Sequence, residues 1–120
     1  MMSSNPDQPN YTDSPIPDKE FTIEDLEKFN GSSDDVPVYL GVNGLVFDVS
    51  SKREMYAQGS GYSIFAGKEA TRGLAKSSLE AEDLKPYGST EGLTEKENAT
   101  LTKWQNFYRG RYPVVGRIKK

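Results

Sequence analysis

The stretch MYAQGSGYSIFAGKEATRGLA, residues 55–75, decides how this chain is read. Two tyrosines, Tyr56 and Tyr62, bracket an Ala-Gln-Gly-Ser-Gly run. Gly59 and Gly61 can take positive φ and allow another group to approach closely. A short apolar turn, Ile64-Phe65-Ala66-Gly67, follows, and a helical segment is expected from Lys68 to Lys76. In that segment Ala70, Leu74 and Ala75 should face inward, while Lys68, Glu69 and Arg72 point to water. A tight loop carrying two phenols and ending at a helix suits a flat ligand better than it suits a plain connection.

Working outward, the hairpin comes first. Val38 to Val42 and Leu45 to Val49 are β-rich runs joined by Asn43-Gly44. That pair is the strongest short hairpin signal, because a type I′ turn needs positive φ at both central residues. Val42 and Val46 suit a core, and Asp48 with Ser50-Ser51 suit a capped turn. Before the hairpin, Phe21 to Gly31 reads as a short helix with Thr22 as N-cap, acid at Asp25, and Ile23, Leu26 and Phe29 on one face. Gly31 suits its C-terminal end.

Beyond the central loop, residues 78–93 hold short turns. Thr94-Glu-Lys-Glu97 is a capping box that opens the longest helix, expected to end at Gly110. Leu101, Trp104 and Tyr108 or Phe107 form its apolar stripe, with Trp104 read as core. Val114 to Ile118 is a last strand. The fold class is α+β: a small mixed sheet containing the hairpin and the C-terminal strand, with four or five short helices that build a pocket on one side. Residues 1–20, polar and proline-rich, are expected to be a disordered tail, and residues 21–120 one domain.

Composition narrows the chemistry. The 120 residues contain no cysteine and no histidine. Thiolate chemistry is excluded, as are the commonest metal ligand, the commonest general base and any bis-histidine haem site. Net charge is −3 with no basic stripe, so nucleic acid is not an expected partner. No apolar run is long enough to cross a membrane and no signal peptide opens the chain as given. The expected location is therefore cytoplasmic as given, and membrane-associated or secreted if the chain is a piece of something longer. Asn10, Asn30 and Asn98 head Asn-x-Ser/Thr triplets, read as chance. No hydrolase set, phosphate loop or zinc spacing can be assembled.

The candidate site residues are Tyr56, Tyr62, Arg111 and Tyr112. A tyrosinate oxygen can ligate ferric haem iron. Free tyrosine ionises near about pH 10, and the iron's charge supplies most of the shift needed. The alternative reading is that both loop tyrosines simply pack. Arg111 and Tyr112 read as a cation and a phenol at a pocket rim, or as a helix-end arginine beside a core-edge tyrosine.

At these residues the chain resembles the cytochrome b5-like haem/steroid-binding domains of the membrane-associated progesterone receptor (MAPR) family, which includes neudesin and neuferricin. The resemblance rests on Phe21-Thr to Asn30-Gly31, on Val42 to Val49, and on Tyr56, Tyr62 and Phe65 to Ala75. It continues through Gly92-Leu-Thr94, Trp104 and Arg111-Tyr-Pro-Val-Val-Gly116, and looks closest to the neudesin branch. It implies non-covalent ferric haem b held five-coordinate by one tyrosinate. By position Tyr62 is the axial ligand, Tyr56 a hydrogen-bonding neighbour, and Arg111 and Tyr112 pocket supports. It further implies a regulator or carrier rather than an enzyme, with cytochrome P-450 monooxygenases or sterols as partners and a stacked-haem homodimer through the open sixth face. The alternatives are a cofactor-independent interaction module of the same fold and a steroid-binding protein. The family often reads Tyr-Gly-Pro at the first tyrosine and proline before the second. Here these are Tyr56-Ala57-Gln58 and Gly61, which suggests a looser loop.

Overall fold

The computed structural model describes residues 11, 15–56 and 61–119. Gly59, and with it most of the expected tail, lies outside the described residues. The elements are β1 (Glu20–Phe21), α1 (Ile23–Glu27), β2 (Tyr39–Val42), β3 (Leu45–Asp48), α2 (Arg53–Tyr56), α3 (Thr71–Ala75), α4 (Glu95–Arg111) and β4 (Val114–Ile118), with single 3-10 turns at Ser50–Lys52, Ser63–Phe65 and Ala81–Leu84.

The hairpin forms as its turn chemistry requires. Asn43 and Gly44 sit at φ 51° and 89°, and β2 and β3 pair antiparallel with Leu40 opposite Phe47. The sheet order is β1-β4-β3-β2. β4 runs antiparallel to β3 and parallel to β1. The first strand was not expected, because Phe21 reads locally as a helix start. Its partner is at the other end of the chain: Glu20 pairs with Arg117 and Phe21 with Ile118. Arg117 donates its N–H to the Lys19 carbonyl, so ordered pairing begins before Phe21.

Side chains alternate across a strand, and the sheet uses this to build two cores. Leu40, Val42 and Phe47 face the larger one, with Leu74, Leu84, Leu101 and Tyr108. Val46 faces the other way, onto Phe21 and Leu26. There Phe29 stacks on Tyr39 with centroids 4.5 Å apart, and Phe21 meets Tyr39 edge-on.

Both expected caps are present. Thr22 and Asp25 form a reciprocal capping box, as do Thr94 and Glu97. Three helix ends differ from expectation. α1 stops at Glu27, short of Gly31, because Phe29 and Gly31 are drawn into backbone bonds with Tyr39 and Pro37 and Asn30 bridges to Val38. α4 runs through Gly110 to Arg111, and Tyr112 still donates its N–H to the Tyr108 carbonyl. Pro113, which has no N–H to donate, is where it must stop. The segment from Lys68 to Ala70 is not helical. Gly41 donates to the Lys68 carbonyl and Ala70 donates to that of Gly41, at 2.9 and 2.7 Å. The open edge of β2 thus claims this backbone, and α3 begins only at Thr71.

That displacement overturns the expected exposure of Glu69, which is fully buried. Its carboxylate accepts from the Thr71 N–H (2.8 Å) and hydroxyl (2.7 Å), and the same hydroxyl accepts from the Asn43 N–H (2.8 Å). Hairpin turn and α3 are tied through one buried acid. Burial pushes its pKa up, against hydrogen bonds from Thr71, Gly44 and Gly88 that pull it down. Arg72 is half-buried rather than free in water, donating to the Ser89 and Glu91 carbonyls.

Candidate functional site

A pocket of about 470 Å³ opens between the 62–65 turn, α3 and the outer face of α4. Tyr56, Tyr62, Arg111 and Tyr112 all line it. α2 delivers Tyr56 from its last position, the 3-10 turn after Tyr62 sets that ring above Phe65, and the end of α4 delivers Arg111 and Tyr112. Tyr62 and Phe65 lie nearly parallel at 6.2 Å, and Tyr56 and Tyr62 are 5.9 Å apart.

The four lining phenols fall into two kinds. Tyr56, Tyr108 and Tyr112 are buried, and the hydroxyls of Tyr56 and Tyr108 are 2.9 Å apart in a hydrogen bond. Tyr62 is 39 % exposed, and its hydroxyl makes no hydrogen bond to the described residues. Burial pushes Tyr108 up to about 12, drives Tyr56 higher still, and raises Tyr112 against the pull of Tyr56 and Arg111. The buried phenols are therefore neutral donors at physiological pH. Arg111 is exposed, its guanidinium 5.0 Å from the Phe107 ring centre.

The glycines behave differently from expectation. Gly61 is not among the positive-φ glycines, and a Cβ there would meet open space. Gly67 takes φ 71° instead, where a Cβ would lie 3.0 Å from both Asn30 Cβ and the Leu26 carbonyl. Trp104 is half-buried and lines the pocket rather than closing the core. Tyr108, read from the sequence only as part of the helix's apolar stripe, and Lys52, not singled out at all, also line the pocket. Tyr108 had a usable signal, since Trp104, Tyr108 and Tyr112 recur every four residues along one row of the helix. Lys52 had none.

This fold, and the placement of one exposed and three buried phenols around an apolar pocket, define a class. Residues 22–116 match the model of the cytochrome b5-like heme/steroid binding domain, and the chain belongs to that family. The resemblance to MAPR-type proteins is borne out by its relatives. The chain is 48 % identical over 82 % of its length to the Arabidopsis thaliana protein named "Probable steroid-binding protein 3", of which it spans 97 %. It is 41 % identical over 80 % of its length to the neuferricin homolog of Caenorhabditis briggsae. It spans only 29 % of that protein, and 39 % of membrane steroid-binding protein 2 of Oryza sativa. Among solved structures, a hypothetical Arabidopsis thaliana protein with a cytochrome b5-like fold superposes with a TM-score of 0.77 at 45 % identity, covering 85 % of this chain and 92 % of that one. Among the described residues no helix is long and apolar enough to cross a membrane.

Proposed function

We propose that the pocket holds ferric haem b through a single axial tyrosinate from Tyr62, and that the domain acts as a haem-dependent regulator or carrier. One observation carries this reading: Tyr62 alone among the lining phenols is exposed, with its hydroxyl uncommitted to any described residue. The donor set fits the group. The lining is mainly aromatic and aliphatic, its volume lies within the range of small-molecule sites, and no histidine exists to compete for the iron. Tyr56 and Tyr112 would support the ligand end, and Arg111 would meet a carboxylate at the rim. When bound, the haem supplies a Lewis-acidic ferric centre, which a hard phenolate oxygen favours over ferrous. The protein's own part is to bind, orient and partly exclude water.

Without a histidine to move protons, a peroxidase role lacks its acid-base group. The regulatory role extends to supplying or withholding haem for cytochrome P-450 monooxygenases, and two haem-loaded copies would meet through their open faces. Steroid binding is the second reading, favoured by the names of the relatives and the apolar lining.

Titration with hemin tests the proposal. A high-spin ferric tyrosinate spectrum that is lost in Tyr62→Phe is the expected result. Binding and spectrum unchanged in that variant would remove Tyr62 as the ligand.

A further inference from the structure

The large apolar side chains left exposed among the described residues are Met55, Tyr62, Leu79 and Phe107. All four line the same pocket. Charge is distributed as unevenly. The chain carries a net −3, yet the charged residues of the pocket lining are Lys52 and Arg111, both cations, with no carboxylate among them. Neither forms an ion pair with the described residues. Glu54, outside the lining, acts on Tyr112.

Burial gives the pocket a direction. Its phenol end, at Tyr56 and Tyr108, is buried, whereas Lys52 and Arg111 are exposed. A ligand that meets every part of this lining has a polar oxygen for the buried phenols, an apolar ring system, and an anion for the exposed cations. A neutral steroid satisfies the first two only. An anionic group adds charge-assisted contacts to both rim cations.

We propose that this pocket selects steroids bearing a terminal anion, a sulfate ester or a carboxylate, over the neutral parent, with Lys52 and Arg111 receiving the charge. The inference rests on the pocket being the ligand site of the proposed function. It adds Lys52 to that site and assigns the ligand's charge.

Trp104 is the single tryptophan of the chain and lines the pocket, so its fluorescence reports occupancy by colourless ligands. Testosterone sulfate and testosterone are titrated against it. The sulfate is expected to bind about five- to tenfold more tightly, the scale of two solvent-exposed ionic contacts. The ratio should fall in Lys52→Ala, fall further towards one in Lys52→Glu, where the remaining cation Arg111 is offset, and shrink as salt is raised. Equal affinities, no binding of either steroid, or a ratio indifferent to both Lys52 and salt would overturn the proposal. Hemin forms a separate arm. If hemin gives its Tyr62-dependent spectrum and the sulfate has no advantage, this inference falls and the haem reading stands. If the sulfate is preferred and hemin gives no such spectrum, the reverse holds.

Discussion

The phenol oxygens of Tyr56 and Tyr108 lie 2.9 Å apart in the buried end of the pocket, although 52 residues separate them in the chain. The pair joins α2 to α4 across the site. The Tyr108 hydroxyl would otherwise be buried without a partner, whereas Tyr56 also reaches Tyr112, and an unmade hydrogen bond there costs more than the bond itself contributes.

Tyr108→Phe keeps the ring packed on Phe47, 5.5 Å away, and removes only the hydroxyl. It should destabilise the fold by about 1–2 kcal/mol, and Tyr56→Phe by a similar amount. The double variant should lose less than the sum of the two, because Tyr56→Phe alone strands the Tyr108 hydroxyl and the double variant does not. Urea unfolding of the three variants measures this coupling. Strict additivity would mean that the two phenols do not depend on each other.

The same burial makes the fold sensitive to alkali. Tyr108 is pushed up to about 12 from the ordinary 10.0, and Tyr56 is raised further. A group with a raised folded pKa holds its proton more tightly in the folded state. Its contribution to stability is complete below the unfolded value and is lost as pH rises through the folded one. Stability should therefore hold to about pH 10 and then fall. In a phenolate absorbance titration, Tyr56 and Tyr108 should ionise after the exposed tyrosines or together with unfolding. The double phenylalanine variant should show a shallower alkaline loss than wild type. An equal loss would assign the effect to other groups.

Much of this fold is legible because its signals are local. Asn43-Gly44 fixes a hairpin through its own φ angles, and Thr22/Asp25 and Thr94/Glu97 satisfy each other within one turn. β1 is not legible, because two residues acquire strand geometry only from β4 near the other terminus. Gly110 reads as a stop, but the hydrogen bond from Tyr112 back to Tyr108 carries the helix past it. Glu69 sits in a sequence that reads as solvated helix, and only the open edge of β2 draws it inside. The candidate tyrosines were readable as residue types. Their division into one exposed and two buried phenols, the addition of the buried Tyr108, and the presence of Lys52 in the lining arise from packing between elements distant in the chain.

Glu69 supplies a prediction in the acid range. Its folded pKa is raised above the ordinary 4.5, chiefly by burial. Here too the folded state holds the proton more tightly, so the contribution is complete below pH 4.5 and is lost as pH climbs through the folded value. The stability of wild type minus that of Glu69→Gln should therefore decline as pH rises above 4.5. Denaturant unfolding of both proteins on either side of pH 4.5 and upward tests the sign. A difference that grows with pH would show the hydrogen bonds from Thr71, Gly44 and Gly88 outweighing burial. Glu69→Ala should cost about 1–3 kcal/mol, since it leaves the Thr71 N–H without its acceptor.

Gly73 lies in α3 with the pocket on one side and the core on the other. A Cβ there would stand 2.6 Å from Leu84 Cδ2, 3.2 Å from Phe65 Cε1 and 3.4 Å from the Ser78 carbonyl oxygen. Leu84 and Phe65 are both buried, so neither can swing into solvent to make room. Alanine normally favours a helix over glycine by about 1 kcal/mol, but α3 is only five residues long, and overpacking a tight core costs about 1–3 kcal/mol. Gly73→Ala should therefore lower the urea midpoint. It should also weaken hemin binding, because relieving the contact moves Phe65, and Tyr62 lies parallel to Phe65 at 6.2 Å. The two readouts separate the causes. Lower stability with unchanged hemin affinity would confine the strain to Leu84, whereas a variant as stable as wild type would contradict the close packing of α3 on the 81–84 turn.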